Sequence, residues 1–385
     1  MNNQTKPESL AFFDNWAEQS LLALDNAKEQ GRKIVGAFCT YAPLEIIRAA
    51  GAIPVSLCGK RQEPISEAER ILPANLCPLI KSSFGYAVTQ SCPFYNASDI
   101  IIGETTCDGK KKMFEILRKM KPFYLLHLPY SQTDPAALDL WKDQVRAMKQ
   151  FMEDKTGKII SREDLQDHIL IYNKQRRLLR AIAWLMADHQ VPVKGMDLLP
   201  VFESSSFVVD MAGYIKALEE LFQDLSELKD SGFSACAENT PRVLLTGCPI
   251  GKGSEKVLRL VEESGGVVVC MENCTGIKSF DLLVEEQGGP YHNLALRYLR
   301  TPCSCMTPNQ GRFDLVRLLA REFKVDGIID QTWQFCHTYN VETSSIQDMA
   351  ASTLGLPFMH IDTDYSDNDT EQLRTRVEAF LEMIR

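Results

Sequence analysis

The sequence has no Cys-x-x-Cys pair, no apolar run of membrane-spanning length and no surplus of basic charge. Each absence removes a class of function. The 385-residue chain carries a formal net charge of −9. Phosphate neutralisation needs clustered basic residues, so nucleic acid is not an expected partner. No stretch approaches the roughly 18 apolar residues of a transmembrane helix, so no membrane is expected either. The opening residues, Met1-Asn2-Asn3-Gln4-Thr5-Lys6-Pro7-Glu8, lack the basic-then-apolar plan of a secretory leader, and the cytoplasm is the expected compartment. The six histidines form no ligand-spaced set, and no Ser–His–Asp or paired-carboxylate arrangement stands out. Gly247-Cys248-Pro249-Ile250-Gly251-Lys252-Gly253-Ser254 misses the phosphate-loop spacing. It reads as a strand-to-helix turn, and no nucleotide is expected to bind this chain.

What is present is cysteine, 12 residues of it. Structural disulfides are rare in the cytoplasm. These thiols are therefore buried apolar side chains, redox groups or metal ligands. Short β-branched runs alternate with helical patterns in two separate stretches, which predicts parallel α/β structure in each. Residues 1–30 form an N-terminal helix, with the helical pattern covering 8–30. A first α/β domain covers 31–130, and a helical domain with long 3.6-residue periodicity follows over 131–238. A second α/β domain covers 239–385. The two α/β stretches run in parallel. Each opens with a strand, a cysteine and a proline-containing loop, at Cys39 and Cys248. Each has a second strand ending near cysteine (Cys58; Cys270 and Cys274), a later cysteine before a helix (Cys77; Cys303 and Cys305), and a strand running into cysteine (Cys107; Cys336). This reads as a diverged structural duplication. Ligands of open parallel sheets collect beyond the carboxyl ends of the strands, where two facing domains would pool these thiols.

Free cysteine often behaves as a small buried hydrophobe. Cys236 lies in a motif-free linker, Cys270 lies inside an apolar strand, and Cys58 leans structural. The other nine, Cys92 among them, remain candidates. Soft thiolates at loops suit zinc or iron–sulfur clusters, but zinc-ribbon spacing is absent. Lys110, Lys111 and Lys112 read as a solvated helix face, with cluster electrostatics or partner docking as the functional alternative. A solvated turn is the reading for Asp362, Asp364 and Asp367.

Seven segments carry a resemblance. They are Gly36-Ala37-Phe38-Cys39-Thr40-Tyr41-Ala42-Pro43-Leu44-Glu45-Ile46, Asn75-Leu76-Cys77-Pro78-Leu79-Ile80-Lys81-Ser82-Ser83, and Gly103-Glu104-Thr105-Thr106-Cys107-Asp108-Gly109-Lys110-Lys111-Lys112 in the first half. In the second half they are Thr246-Gly247-Cys248-Pro249-Ile250-Gly251, Glu272-Asn273-Cys274-Thr275-Gly276, Cys303-Ser304-Cys305 and Phe335-Cys336-His337-Thr338-Tyr339. Over essentially its whole length the sequence resembles the 2-hydroxyacyl-CoA dehydratase and benzoyl-CoA reductase superfamily, and within it the double-cubane cluster proteins. The resemblance implies an α/β fold with two Rossmann-like parallel-sheet domains, a helical insertion between them, and pairing as dimers. It also implies a 4Fe–4S cubane on Cys77, Cys107 and Cys336. In the double-cubane subgroup a second cubane is joined by a bridging sulfide, giving an Fe8S9 cluster with six cysteine ligands. The further ligands are then drawn from Cys39, Cys274, Cys303 and Cys305, with Cys248 in reserve; spacing does not choose among them. The implied partners are an ATP-hydrolysing iron–sulfur activator, a small-molecule substrate and a second copy of the chain. The implied activity is low-potential reduction of a small, hard-to-reduce molecule. The runner-up is a single-cubane dehydratase subunit.

Overall fold

Valine- and isoleucine-rich runs of four to seven residues are too short for helices and are buried on both faces, which suits parallel strands covered by helices. A computed structural model of the protein describes residues 7–385. Most of the stretch scanned above for a leader, residues 1–6, lies outside the described residues. The chain opens with α1 (Glu8–Asp14) and α2 (Trp16–Glu29). The single helix expected over 8–30 is thus two, because Asn15 leaves helical geometry at φ −110° and ψ 14°. Phe13 and Trp16 then turn against the ring of Tyr214.

The first α/β unit runs β1 (Ile34–Ala37), α3 (Leu44–Ala49), β2 (Ile53–Ser56), α4 (Ile65–Ala68), α5 (Pro78–Thr89), α6 (Pro93–Ala97), β3 (Ile100–Glu104), α7 (Asp108–Leu117) and β4 (Phe123–Leu126). The helical stretch comprises α8 (Ala137–Thr156), α9 (Arg162–Trp184), α10 (Gly195–Ser204) and α11 (Met211–Asp230). A capping box starts α9: Ser161 accepts from the Asp164 N–H, and Asp164 accepts from the Ser161 N–H. The second unit runs β5 (Arg242–Gly247), α12 (Lys256–Glu263), β6 (Val267–Glu272), α13 (Pro290–Leu299), α14 (Gln310–Glu322), β7 (Gly327–Trp333), α15 (His337–Met349), β8 (Phe358–Thr363) and α16 (Thr370–Met383). Helices α13 and α15 were not anticipated from periodicity. No helix among the described residues is long and apolar enough to cross a membrane.

The two sheets have one plan. Their strand orders are β2-β1-β3-β4 and β6-β5-β7-β8, and every neighbouring pair is parallel. The fold is therefore α/β with two parallel-sheet units, as expected, and the duplication extends to the order of the strands. In each sheet the chain leaves the first strand for one edge, then returns to its other side. That reversal opens a crevice at the carboxyl ends of the central strands. The helical stretch does not stand apart. Arg48 on α3 ties it to the first unit by donating to the Val208 and Val209 carbonyls. Glu262 on α12 ties it to the second by accepting from the Gly195 and Met196 N–H groups at the start of α10. Across the units, Trp141 and Val145 of α8 share a core with Leu294 and Tyr298 of α13.

Gly247 shows how tightly the second crevice is built. Its φ is +110°, and a Cβ there would lie 2.1 Å from the Gln331 carbonyl oxygen on β7. Gly247→Ala should cost about 2–4 kcal/mol of stability, from left-handed strain plus the clash. Gly232→Ala, at φ +79° with nothing within 4 Å, should cost about 1 kcal/mol. Denaturant midpoints of the two variants check this, and equal losses would contradict it.

Candidate functional site

The crevices meet in a shared cavity of about 670 Å³ whose wall contains nine cysteines. Most of them arrive at the carboxyl ends of strands. Cys39, Cys58 and Cys107 follow β1, β2 and β3, while Cys248, Cys274 and Cys336 follow β5, β6 and β7. Cys77 precedes α5, and Cys303 and Cys305 lie between α13 and α14. The turns are sharp: Cys39 and Phe335 hold φ of 70° and 63°, a strained conformation for residues with a Cβ.

All seven cysteines singled out for ligation (Cys39, Cys77, Cys107, Cys274, Cys303, Cys305 and Cys336) line this cavity, and so does Cys248. Two placements differ from expectation. Cys58 is part of the wall rather than structural: β2 ends at Ser56, and Cys58 lies two residues beyond it among lining residues that include Ser56 and Lys60. Cys92, counted among the nine candidates, lies elsewhere: its sulfur accepts from the Tyr95 N–H and caps α6. Cys270 is buried inside β6, and Cys236 packs half-buried against the core.

The thiols act on one another electrostatically in two groups, Cys336 with Cys77 and Cys248, and Cys303 with Cys274 and Cys305. In each group the central thiol is pulled well below the usual range by its two thiol neighbours. The outer thiols are pushed up: Cys77, Cys274 and Cys305 by the central sulfur and then burial, Cys248 by burial and then the central sulfur. Cys39 stands beside the second group, pushed up to about 12 by burial. Cys107 is raised by burial and feels both Cys336 and Cys303. Among the described residues, no three Cys, His, Asp or Glu side chains are placed to hold a single metal ion. The donor set is soft sulfur spread around a cavity, which fits a multi-atom metal–sulfur group better than one ion.

Cations sit behind the sulfurs. The three lysines do not act as one solvated face. Lys112 is exposed and pairs with Glu115, and Lys111 pairs with Asp108 on the surface. Lys110 is buried in the cavity wall. Burial alone would lower its pKa, but Cys39, Cys58, Glu104 and Cys107 outweigh that and raise it. In the second unit, Lys278 is 1% exposed. Its Nζ lies 3.0 Å from Glu272 and donates to the Tyr339 hydroxyl at 2.8 Å. Its charge helps hold Cys303 down and opposes the rise of Cys274. Arg312, fully buried, ties the same network together through Glu272 at 3.4 Å, Asp330 at 3.3 Å and Glu342. Sequence reading missed Lys278 and Arg312, since neither belongs to a spaced motif.

The Gly247–Ser254 turn uses its own amides. The Gly251 N–H donates to Ser254 Oγ at 3.0 Å, the Lys252 N–H to Glu203 at 3.0 Å, and the Gly253 N–H to Glu255. The turn thereby orients Cys248 rather than presenting free donors.

Glu104 gives a pH test of the site. It is fully buried at the end of β3, where one carboxylate oxygen accepts from the Ala42 N–H at 2.9 Å and the other has no partner. Burial pushes its pKa from 4.5 up to about 8 against the pull of Lys110. The folded chain therefore holds a proton that the unfolded chain has lost between those values. Stability falls as pH rises across that window. Glu104→Gln should flatten the fall, read as denaturant midpoints of both proteins at about pH 6 and about pH 8.5. An identical pH dependence in the variant would contradict the assignment.

Comparison with known proteins bears on what this cavity serves. Residues 39–384 match the family model described as 2-hydroxyglutaryl-CoA dehydratase, D-component. The chain is 41% identical to a "putative dehydratase subunit YjiM" of Escherichia coli strain K12, over 97% of this chain and 98% of that protein. It is 24% identical to the (R)-phenyllactyl-CoA dehydratase beta subunit of Clostridium sporogenes, over 94% of each. It is 19% identical to a benzoyl-CoA reductase subunit of Thauera aromatica, over 93% of this chain and 92% of that one. The chain, with its thiol-lined cavity between two like sheets, belongs to the superfamily of 2-hydroxyacyl-CoA dehydratase and benzoyl-CoA reductase subunits.

Proposed function

We propose that this chain is the cluster-bearing reductase component of an ATP-coupled system, holding a double-cubane Fe8S9 cluster and reducing a small, hard-to-reduce molecule. The observation that carries the reading is the nine cysteines around one cavity, more than the three that one cubane takes. Cys77, Cys107 and Cys336 would hold the first cubane, as the resemblance implies. Cys39, Cys274, Cys303 and Cys305 would supply the further ligands, with Cys248 in reserve; all five line the same cavity. When bound, such a cluster would supply single electrons at low potential.

The chain's own residues support that role. Lys278 and Lys110 place ammonium groups beside the sulfurs, where positive charge favours thiolate over thiol. Tyr41 is buried, and its hydroxyl lies 3.5 Å from Cys305 Sγ. Burial of the wall lowers the local dielectric, which strengthens each of these interactions. The energy input is assigned to a separate ATP-hydrolysing iron–sulfur activator. A homodimer in the cytoplasm is the proposed setting, because one chain carries enough cysteine for a whole cluster.

A second reading is a single-4Fe–4S dehydratase subunit, favoured by relatives named as dehydratase subunits along nearly their full length. Its ligands would be Cys77, Cys107 and Cys336. Anaerobic iron and sulfide counting separates the two: about eight irons per chain for the first and about four for the second. Cys336→Ala should abolish the visible charge-transfer absorption in either case. Cys107→Ala should do the same, whereas Cys303→Ala should lower the iron content only under the double-cubane reading. Cys92→Ser should leave iron unchanged. Full iron in Cys336→Ala would remove both readings.

A further inference from the structure

Tyr41 carries one hydroxyl hydrogen and faces two acceptors. Its ring is fully buried and set edge-on to Trp141, with centroids 6.5 Å apart. Its hydroxyl lies 3.1 Å from the Thr301 carbonyl oxygen and 3.5 Å from Cys305 Sγ. A phenol donates one hydrogen bond at a time. Close packing holds the ring still, so the choice is made by rotation of the O–H about the C–O bond.

The carbonyl does not depend on that hydrogen. The Thr301 oxygen also accepts from the Cys303 N–H at 3.0 Å and from Gln132 Nε2 at 2.9 Å. A carbonyl oxygen has two lone pairs. Three donors therefore converge on two acceptor positions, and Tyr41 is the most distant of them, long for an O–H donor. The demand of the sulfur depends on its state. As a thiol, Cys305 has a hydrogen of its own and is a weak acceptor. A metal ligand has released that hydrogen. Its sulfur then only accepts, and a hydrogen bond to a buried charged atom is worth more than one to a neutral carbonyl.

We infer that Tyr41 is a positioning residue for Cys305, its O–H turning from the Thr301 carbonyl to the Cys305 sulfur when that sulfur becomes a metal ligand. The hydrogen stays on the tyrosine oxygen throughout, and only its acceptor changes. Reduction of a metal–sulfur group puts more negative charge on the ligand sulfurs, so the donated bond strengthens in the reduced state and raises the reduction potential. Gln132 acts through the carbonyl, keeping it satisfied while Tyr41 turns away. The inference deepens the proposed function and rests on it for Cys305 as a cluster ligand.

Anaerobic redox titration of the purified, cluster-loaded protein, followed by visible absorption, tests this, with iron counted on the same samples. Tyr41→Phe removes the hydroxyl and keeps the ring. It should retain its iron and lower the potential, making the reduced-to-oxidised ratio at a fixed reductant poise ~threefold smaller or more. Gln132→Leu touches no cysteine. It should lower the potential too, because the carbonyl then has a use for the Tyr41 hydrogen. The double variant should fall no further than Tyr41→Phe alone, since the hydroxyl that Gln132 frees is already gone. Full iron with an unmoved or raised potential in Tyr41→Phe would overturn the inference. So would a folded Gln132→Leu protein whose potential does not fall, or a double variant in which the two losses add. If Tyr41→Phe loses its iron, Gln132→Leu carries the test. Iron near about four per chain in the unaltered protein defeats the proposed function, whereas about eight with no fall in either variant defeats this inference alone.

Discussion

Desolvation of sulfur governs this structure. A thiol taken out of water resists ionisation, yet a metal ligand must be a thiolate. Nine cysteines around one cavity make that conflict acute. The chain meets it locally. In each group one central thiol, Cys336 or Cys303, is held below the usual range while its neighbours are held above it. Buried ammonium groups then add positive charge on both sides, Lys110 from the first unit and Lys278 from the second. The fold supplies the position, because parallel strands that share an order release their chain ends on one edge.

Burying those cations creates a further demand, since an unpaired buried charge is costly. The second unit meets it with an extended network. Lys278 and Arg312 are set against Glu272, Asp330 and Glu342, with Thr246 and Tyr339 completing the hydrogen bonds. These carboxylates come from β6, β7 and α15, so the network also clamps the strands from which Cys274 and Cys336 emerge. The first unit is less complete. Glu104 stands near Lys110, but one of its oxygens has no partner. The two halves share a topology and differ in electrostatics.

The fold was legible because its signals are local. Short β-branched strands and long 3.6-residue periodicity each depend on neighbours in sequence. The two units could even be aligned by eye through Cys39 with Cys248 and Cys107 with Cys336. The cavity was legible in part, through strand ends. What the sequence could not separate was Cys58 from Cys92. Both are cysteines near element ends, and only the direction of the chain beyond β2 sends one to the cavity while the other caps α6. The lysine triplet was undivided for a similar reason. Successive helical residues differ by about 100° in direction, so one of three neighbours faces inward, and tertiary packing decides which. Lys278 and Arg312 left no trace because their partners lie on other elements.

The helical stretch takes a different meaning in this light. As a spacer it would need only to hold two α/β units apart. Instead α10 is capped by Glu262 of the second unit, and the segment before α11 is gripped by Arg48 of the first. Helix α9 also builds the cavity, adding Tyr172, Gln175 and Arg176 to a wall completed by α3 and α13. The sulfurs come from the duplicated units, and the arginines that line the same cavity, Arg48, Arg176 and Arg297, come from all three segments. Duplicated strand ends can make a symmetric pocket of thiols. The added helices make it asymmetric, which is what a cavity needs if it is to hold a ligand in one orientation.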